Sequence, residues 1–274
     1  MGDQRPIGVF DSGVGGLTVL RAIREALPDE PTIYLADLYH FPYGPRYQDE
    51  VRAFAFDIIR YLESRDVKLV VIACNTATAA ALNQAREHFE VPLVGVIRPG
   101  AQAAVEATRN NRIGVIATEG ATRSQEYLHA IKELDPMVGV YQKACPELVD
   151  IVERGEADSP RAEAALKHDL ADIVRVGADT LILGCTHYPL LKPAIERLYP
   201  DAFTLVDSAT TTAAKVERHL DHSRLRAAAG PPNHEVLVTA VPQHFDDIAS
   251  HLFGESIEAE EVRIWEEQKA PQGT

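Results

Sequence analysis

Two short apolar runs, each ending in a cysteine, restrict this chain more than any other feature. Lys68–Ala73 reads KLVVIA and runs into Cys74-Asn75-Thr76, while Thr180–Gly184 reads TLILG and runs into Cys185-Thr186-His187. Both have the length and composition of buried strands bounded by turn residues. The alanine-rich ATAAALNQAREHF after Cys74 is a strong helix former, and Pro189 pre-sets the backbone for a helix start after His187. A weaker pair of echoes lies upstream, IGVFDSGVGG at Ile7–Gly16 and IGVIATEG at Ile113–Gly120. The paired segments are offset by about 110 residues, too far for a solenoid repeat and right for two related units. The expected fold is α/β: two related parallel-sheet domains facing each other with pseudo-two-fold symmetry, and an active site in the cleft between them.

The other segments fit that plan in chain order. Strands are expected at Ile7–Phe10, at PTIYLA ending in Ala36, and at VPLVGVI from Val91 to Ile97. Between them lie the helices LTVLRAIREALP and DEVRAFAFDIIRYLESRD and the loop LYHFPYGPRY, in which Pro42 and Pro45 stiffen Tyr43-Gly44. Pro99-Gly100 marks a crossing into the second unit, which continues through AQAAVEATR, IGVIA, SQEYLHAIKEL, the carboxylate-rich ACPELVDIVERGEADS and RAEAALKHDLADIVRVG. Asp207-Ser208-Ala209 closes the strand FTLVD and opens the helix TTTAAKVERHLDH. After the linker AAAGPPNH, EVLVTAVP and VRIWE read as strands around the helix QHFDDIASHLF, completing the first unit, and the tail EEQKAPQGT reads as disordered. The domains are therefore expected at 1–98 plus 210–274 and at 99–209.

Composition narrows the classes. With 274 residues and 46% hydrophobic content the chain can bury two ordinary cores. No cationic region precedes a long apolar stretch, and no run approaches about 18 apolar residues, so neither targeting nor a membrane span is expected. Three cysteines without framework spacing suit a reducing compartment, which predicts a cytoplasmic protein. A net charge of −14 argues against a broad nucleic-acid footprint. An acidic substrate would have to be held by local donors.

In open α/β sheets ligands sit beyond the carboxyl ends of the strands, where Asp11, Cys74, Thr118 and Cys185 all fall. Facing units would put a thiol on each side of one ligand, an arrangement suited to removing a proton from one face of a carbon and returning it to the other. The thiols must be tuned: an ordinary thiol is only about 3% ionised at pH 7, a shortfall of about 2 kcal/mol. A helix amino end supplies about 0.3–1 kcal/mol, so another partner is needed. His187 is that candidate for Cys185, and Asp11 is a candidate for an orienting or proton-accepting part near Cys74. Cys74, Cys185 and His187 lack the fourth member of a structural zinc site, so no metal is expected. Glu147, Asp150, Glu153 and Glu156 read as a solvated helix face, and Cys145 as a structural cysteine.

DSGVGGLTVL at Asp11–Leu20, PYG at Pro42–Gly44, ACNTATA at Ala73–Ala79 and GCTHYPLL at Gly184–Leu191 together resemble the glutamate racemases of the aspartate/glutamate racemase family. The resemblance spans nearly the whole chain. It implies a cofactor-independent enzyme interconverting L- and D-glutamate for peptidoglycan synthesis, in which Cys185 takes the α-proton of L-glutamate and Cys74 that of D-glutamate. It implies that Asp11 and His187 assist the thiols, and that Asp11, Ser12, Tyr43, Gly44, Asn75, Thr76, Thr118 and Thr186 hold the substrate. Glu153 keeps its place in CPELVDIVERG where the family often has CPLFVPLVEEG, and is a candidate supporting residue; Ala121 stands where the family favours threonine. The resemblance also implies a homodimer. No lysine lies at a motif-bearing strand end, so no pyridoxal phosphate chemistry is expected. A racemase of the same plan acting on aspartate or another amino acid is one alternative, and a non-catalytic amino-acid-binding module, which the paired cysteines disfavour, is the other.

Overall fold

The computed structural model describes residues 2–240, 245, 249, 250, 253, 254 and 256–265. The chain alternates strand and helix: β1 (Ile7–Asp11), α1 (Leu17–Ala26), β2 (Thr32–Ala36), α2 (Gln48–Ser64), β3 (Leu69–Ile72), α3 (Asn75–His88) and β4 (Leu93–Gly95). A second series runs α4 (Ile97–Ala107), β5 (Arg112–Ala117), α5 (Glu119–Ser124), α6 (Glu126–Leu134), β6 (Gly139–Ala144), α7 (Pro146–Glu153), α8 (Pro160–Arg175) and β7 (Thr180–Gly184). A 3-10 turn at Tyr188–Leu191 then leads into α9 (Lys192–Leu198), β8 (Thr204–Asp207), α10 (Ser208–Ser223), β9 (His234–Val238) and β10 (Glu260–Glu261).

Two sheets result, ordered β10-β9-β2-β1-β3-β4 and β6-β5-β7-β8, and every ladder in both is parallel. The second order matches the run β2-β1-β3-β4 of the first, so the duplication in sequence is a duplication of topology. Helices cover both faces, which is why the central strands read as continuous apolar runs rather than alternating ones. On the first sheet, Ile7, Val9, Leu69 and Val71 pack against α1 and α10, while Phe10, Leu35, Val70 and Ile72 pack against α2 and α3. On the second, Leu181 and Leu183 pack against α7, α8 and α9, and Val115 and Ile182 against α4 and α6.

Several elements differ from the sequence expectation. Ile97 belongs to α4 rather than to the strand before it, so Pro99 and Gly100 lie inside a helix. Pro99 is the third residue of α4, where its missing N–H would have had no intrahelical partner. The helix expected at SQEYLHAIKEL forms as α6 from Glu126, and a short helix not anticipated, α5, precedes it, the two meeting at Gln125, whose φ of 61° is left-handed. β6 was not anticipated; as a half-exposed edge strand carrying Tyr141, Gln142 and Lys143, it lacks the apolar signature of its neighbours. The last ladder forms at Glu260–Glu261 instead of within VRIWE, whose Val262, Ile264 and Trp265 pack on the first core. Most of QHFDDIASHLF and all of EEQKAPQGT lie outside the described residues. No helix among the described residues is long and apolar enough to cross a membrane.

Candidate active site

Strand register brings the motif residues to matching places. In the first sheet the last β1–β3 pair is Phe10 with Ile72, so Asp11 and Ala73 are one step beyond it; in the second, Ala117 pairs with Gly184. Ser12 and Cys74 therefore correspond to Thr118 and Cys185. These ends face each other across a cavity of about 500 Å³ whose wall includes both cysteines. Ser12, Tyr43, Gly44, Asn75, Thr76, Thr118, Glu153, Thr186 and His187 line it as well. Asp11 lies behind the wall, fully buried.

Cys74 caps α3: its sulfur accepts the Ala77 N–H at 3.4 Å and lies 3.6 Å from the Ser12 hydroxyl. Burial, followed by the negative charge of Asp11, pushes this thiol from an ordinary 9 up to about 12. That is about 4 kcal/mol against ionisation, more than a helix amino end supplies. Asp11 is itself pushed up by burial, opposed by the charge of His187 and by the backbone N–H groups of Gly16 and Gly13. Its Oδ2 accepts from Gly16 N at 2.8 Å and Gly13 N at 3.3 Å, so the glycine turn wraps the carboxylate, while Oδ1 has no hydrogen-bond partner among the described residues. Gly15 is required here, because a Cβ would stand 2.5 Å from Thr186 Oγ1 and 2.7 Å from His187 Nδ1.

Cys185 has different company. Its sulfur lies 3.6 Å from His187 Nδ1, and His187 Nε2 lies 2.5 Å from Glu153 Oε1, making a linear chain of sulfur, imidazole and carboxylate. Burial pulls the His187 pKa down, but its bonds to Cys185 and Glu153 outweigh that and hold it well above the ordinary 6.5. An imidazolium in this place stabilises negative charge on the adjacent sulfur. Among the described residues no three His, Cys, Asp or Glu side chains are grouped to hold a metal ion.

Hydrogen bonds cross the cleft between the two series of elements. Thr76 and Thr118 hydroxyls meet at 2.8 Å, Gly120 N donates to Gly44 O at 2.9 Å, and Thr18 Oγ1 donates to Thr186 O at 3.3 Å. Tyr127 donates to Asn75 Oδ1 at 2.7 Å, which leaves the buried Asn75 Nδ2 without a partner among the described residues. Sequence reasoning missed Tyr127, Phe41, whose ring centroid is 6.3 Å from that of His187, and Asp37, to which Tyr43 donates its hydroxyl at 2.5 Å. Tyr127 and Phe41 act across fold contacts and have no local signal, whereas Asp37 stands directly after a strand and only six residues before Tyr43. Glu147 and Asp150 sit on the cavity rim as well as in solvent, and Glu153, read with them as a solvated face, turns inward to His187. Cys145, at the amino end of α7, is buried and does not form part of the cavity wall.

The family model for Asp/Glu/Hydantoin racemase matches residues 7–216. A glutamate racemase from Listeria innocua is 45% identical over 247 residues, covering 90% of this chain and 93% of the relative. Among solved structures, glutamate racemase isoform RacE1 from Bacillus anthracis superposes with a TM-score of 0.92 at 39% identity, covering 95% of this chain and 98% of that one. The glutamate racemase of Francisella tularensis in complex with D-glutamate gives a TM-score of 0.90 at 31% identity, covering 96% and 98%. Motif, topology and likeness agree: the chain belongs to the Asp/Glu/Hydantoin racemase family, in its glutamate racemase branch, and is an enzyme of the isomerase class.

Proposed function

We propose that this enzyme interconverts L- and D-glutamate by proton transfer between two thiols and the α-carbon, without a cofactor. The observation that carries the reading is that Cys74 and Cys185, from matching strand ends, line one cavity. In the direction from L-glutamate, the Cys185 thiolate takes the α-proton and the Cα–H electron pair delocalises into the α-carboxylate. The Cys74 thiol then gives its proton to the opposite face, leaving Cys74 as thiolate and Cys185 as thiol; the reverse direction exchanges the roles. His187, oriented by Glu153, stabilises the negative Cys185 sulfur, and Asp11 assists Cys74. Ser12, Gly44, Asn75, Thr76, Thr118 and Thr186 supply the donors and acceptors that orient the two carboxylates and the amine, with Tyr43 part of the same wall.

In this reading the product D-glutamate feeds peptidoglycan synthesis, the enzyme works in the cytoplasm, and it assembles as a homodimer. The packing of α4 on the second sheet and of α10 on the first supports the two-domain division expected at 99–209 and at 1–98 plus 210–274, with each bound moved two residues earlier, to the start of its helix. The test is to incubate L-glutamate with the metal-free, pyridoxal-free protein in D2O. Loss of the α-proton NMR signal together with accumulating D-glutamate is expected; unchanged L-glutamate, with L-aspartate racemised instead, overturns the substrate assignment.

A further inference from the structure

Asp37 directly follows β2, is fully buried, and is not part of the cavity wall. Its carboxylate gathers donors from two separate parts of the chain. Tyr43 donates to Oδ2 at 2.5 Å, Thr239 Oγ1 donates to Oδ1 at 2.9 Å, and His40 Nδ1 lies 2.9 Å from Oδ2. The loop between β2 and α2 is thereby hung from one carboxylate. Further bonds brace it: Tyr39 N donates to Thr239 Oγ1 at 3.0 Å and Arg46 Nε to His40 O at 2.8 Å. On its other side the loop forms cavity wall at Tyr43 and Gly44 and meets the second series of elements, where Gly120 N donates to Gly44 O at 2.9 Å and Arg123 to Arg46 O at 3.0 Å.

A side chain that only filled this space would need no charge, since an apolar group of equal volume avoids the desolvation cost. What the carboxylate adds is direction, because it orients several donors at once. The Tyr43 hydroxyl is committed to it, and turning that hydroxyl toward a ligand would leave a buried carboxylate short of a donor. We infer that Asp37 is a positioning residue for the amino-acid cleft, setting the Tyr43–Gly44 wall through the Tyr43 hydroxyl without touching substrate. The inference rests on reading this cleft as the glutamate site.

The test is a double-mutant cycle, with steady-state kinetics and Tm measured for Asp37→Asn, Tyr43→Phe, the double variant and Thr239→Val. Asp37→Asn and Tyr43→Phe should each raise KM for glutamate about tenfold, with kcat changed less than about threefold. The double variant should be no worse than the poorer single variant, because both remove the same bond. Thr239→Val should raise KM about threefold. A raised KM in Tyr43→Phe alone would mean that the hydroxyl itself contacts substrate and overturns the inference, as would additive effects in the double variant. A fall in kcat that tracks Tm at constant KM overturns it in favour of a structural role. Should Asp37→Asn not fold, Thr239→Val decides: an unchanged KM sinks the proposal. Wild-type protein inactive on glutamate is a separate outcome, which removes the reading of the site rather than the role of Asp37.

Discussion

The two halves of the cavity stand on the same strand order but are charged differently. Cys74 sits at the amino end of α3 over a buried carboxylate, Asp11, and is held as a thiol. Cys185 precedes a short 3-10 turn, has Ala117 where the other half has Asp11, and faces an imidazole backed by Glu153. A duplicated backbone thus supplies symmetry of position, while unmatched neighbours supply asymmetry of charge. Two identical, interacting thiols could share a single proton without fixing which sulfur holds it, whereas the proposed reaction assigns opposite roles that unmatched neighbours can set. In the proposed two-thiol reaction, the divergence of CNT from CTH, and of Asp11 from Ala117, is what distinguishes the sulfur beside a carboxylate from the sulfur beside an imidazole.

The largest break in this comparison comes from removing either sulfur. Cys74→Ala and Cys185→Ala should each lower kcat/KM by about 10²–10⁴, measured by circular dichroism of glutamate from both enantiomers. Equal loss in both directions is required, because enantiomers have an equilibrium constant of one; a variant retaining wild-type turnover would end the two-thiol account.

Glu153→Gln tests the charged side of Cys185. Losing the carboxylate should cost about tenfold in kcat/KM, within the range for a charged hydrogen bond. Glu153 helps to raise the His187 pKa, so its removal lowers that pKa. Activity that needs the imidazolium is lost as pH rises through the His187 value, so the alkaline limb of the pH–rate profile should move to lower pH. The linked stability has the same sign: the raised His187 contributes fully below about 6.5 and loses its contribution as pH rises through its folded value. An alkaline limb that stays in place would detach Glu153 from the mechanism.

On the other side, Asp11→Asn removes the charge that helps to keep Cys74 protonated while preserving an acceptor for Gly16 N. Cys74 should then ionise below its present value of about 12, and its alkylation by iodoacetamide at pH 9 should speed up a few-fold with Cys185 replaced by serine. Unchanged alkylation would assign the whole effect to burial. The smallest expected change is at the seam: Thr76→Val removes the bond to Thr118 and should lower stability by about 1 kcal/mol, read as a Tm shift of a few degrees.

Much of this was legible from residues. Strands ending at Ala36, Ile72 and Gly184 announced themselves because burial on both faces demands apolar runs, and a cysteine after such a run stands at a ligand-facing edge. The exposed edge strand β6 carried no such demand, and Pro99 looked like a boundary because its place in the first turn of a helix cannot be told locally from a break. Glu153 illustrates the same limit at the site. On its own helix it is one of several carboxylates, and only the packing of α7 beside the turn after β7 turns it toward His187.

The sequence by itself determined the strand–helix alternation, the duplication, and which residues stand at strand ends, since these follow from periodicity and chain neighbours. Tertiary structure alone decided the distant partners: that Thr239 reaches Asp37, that Tyr127 takes Asn75 Oδ1, and that Glu153 stands behind His187. The physical reason is range. Propensity and hydrophobic pattern act over a few residues, whereas the hydrogen bonds and charges that set a thiol's state act over a few ångströms between groups far apart in the chain.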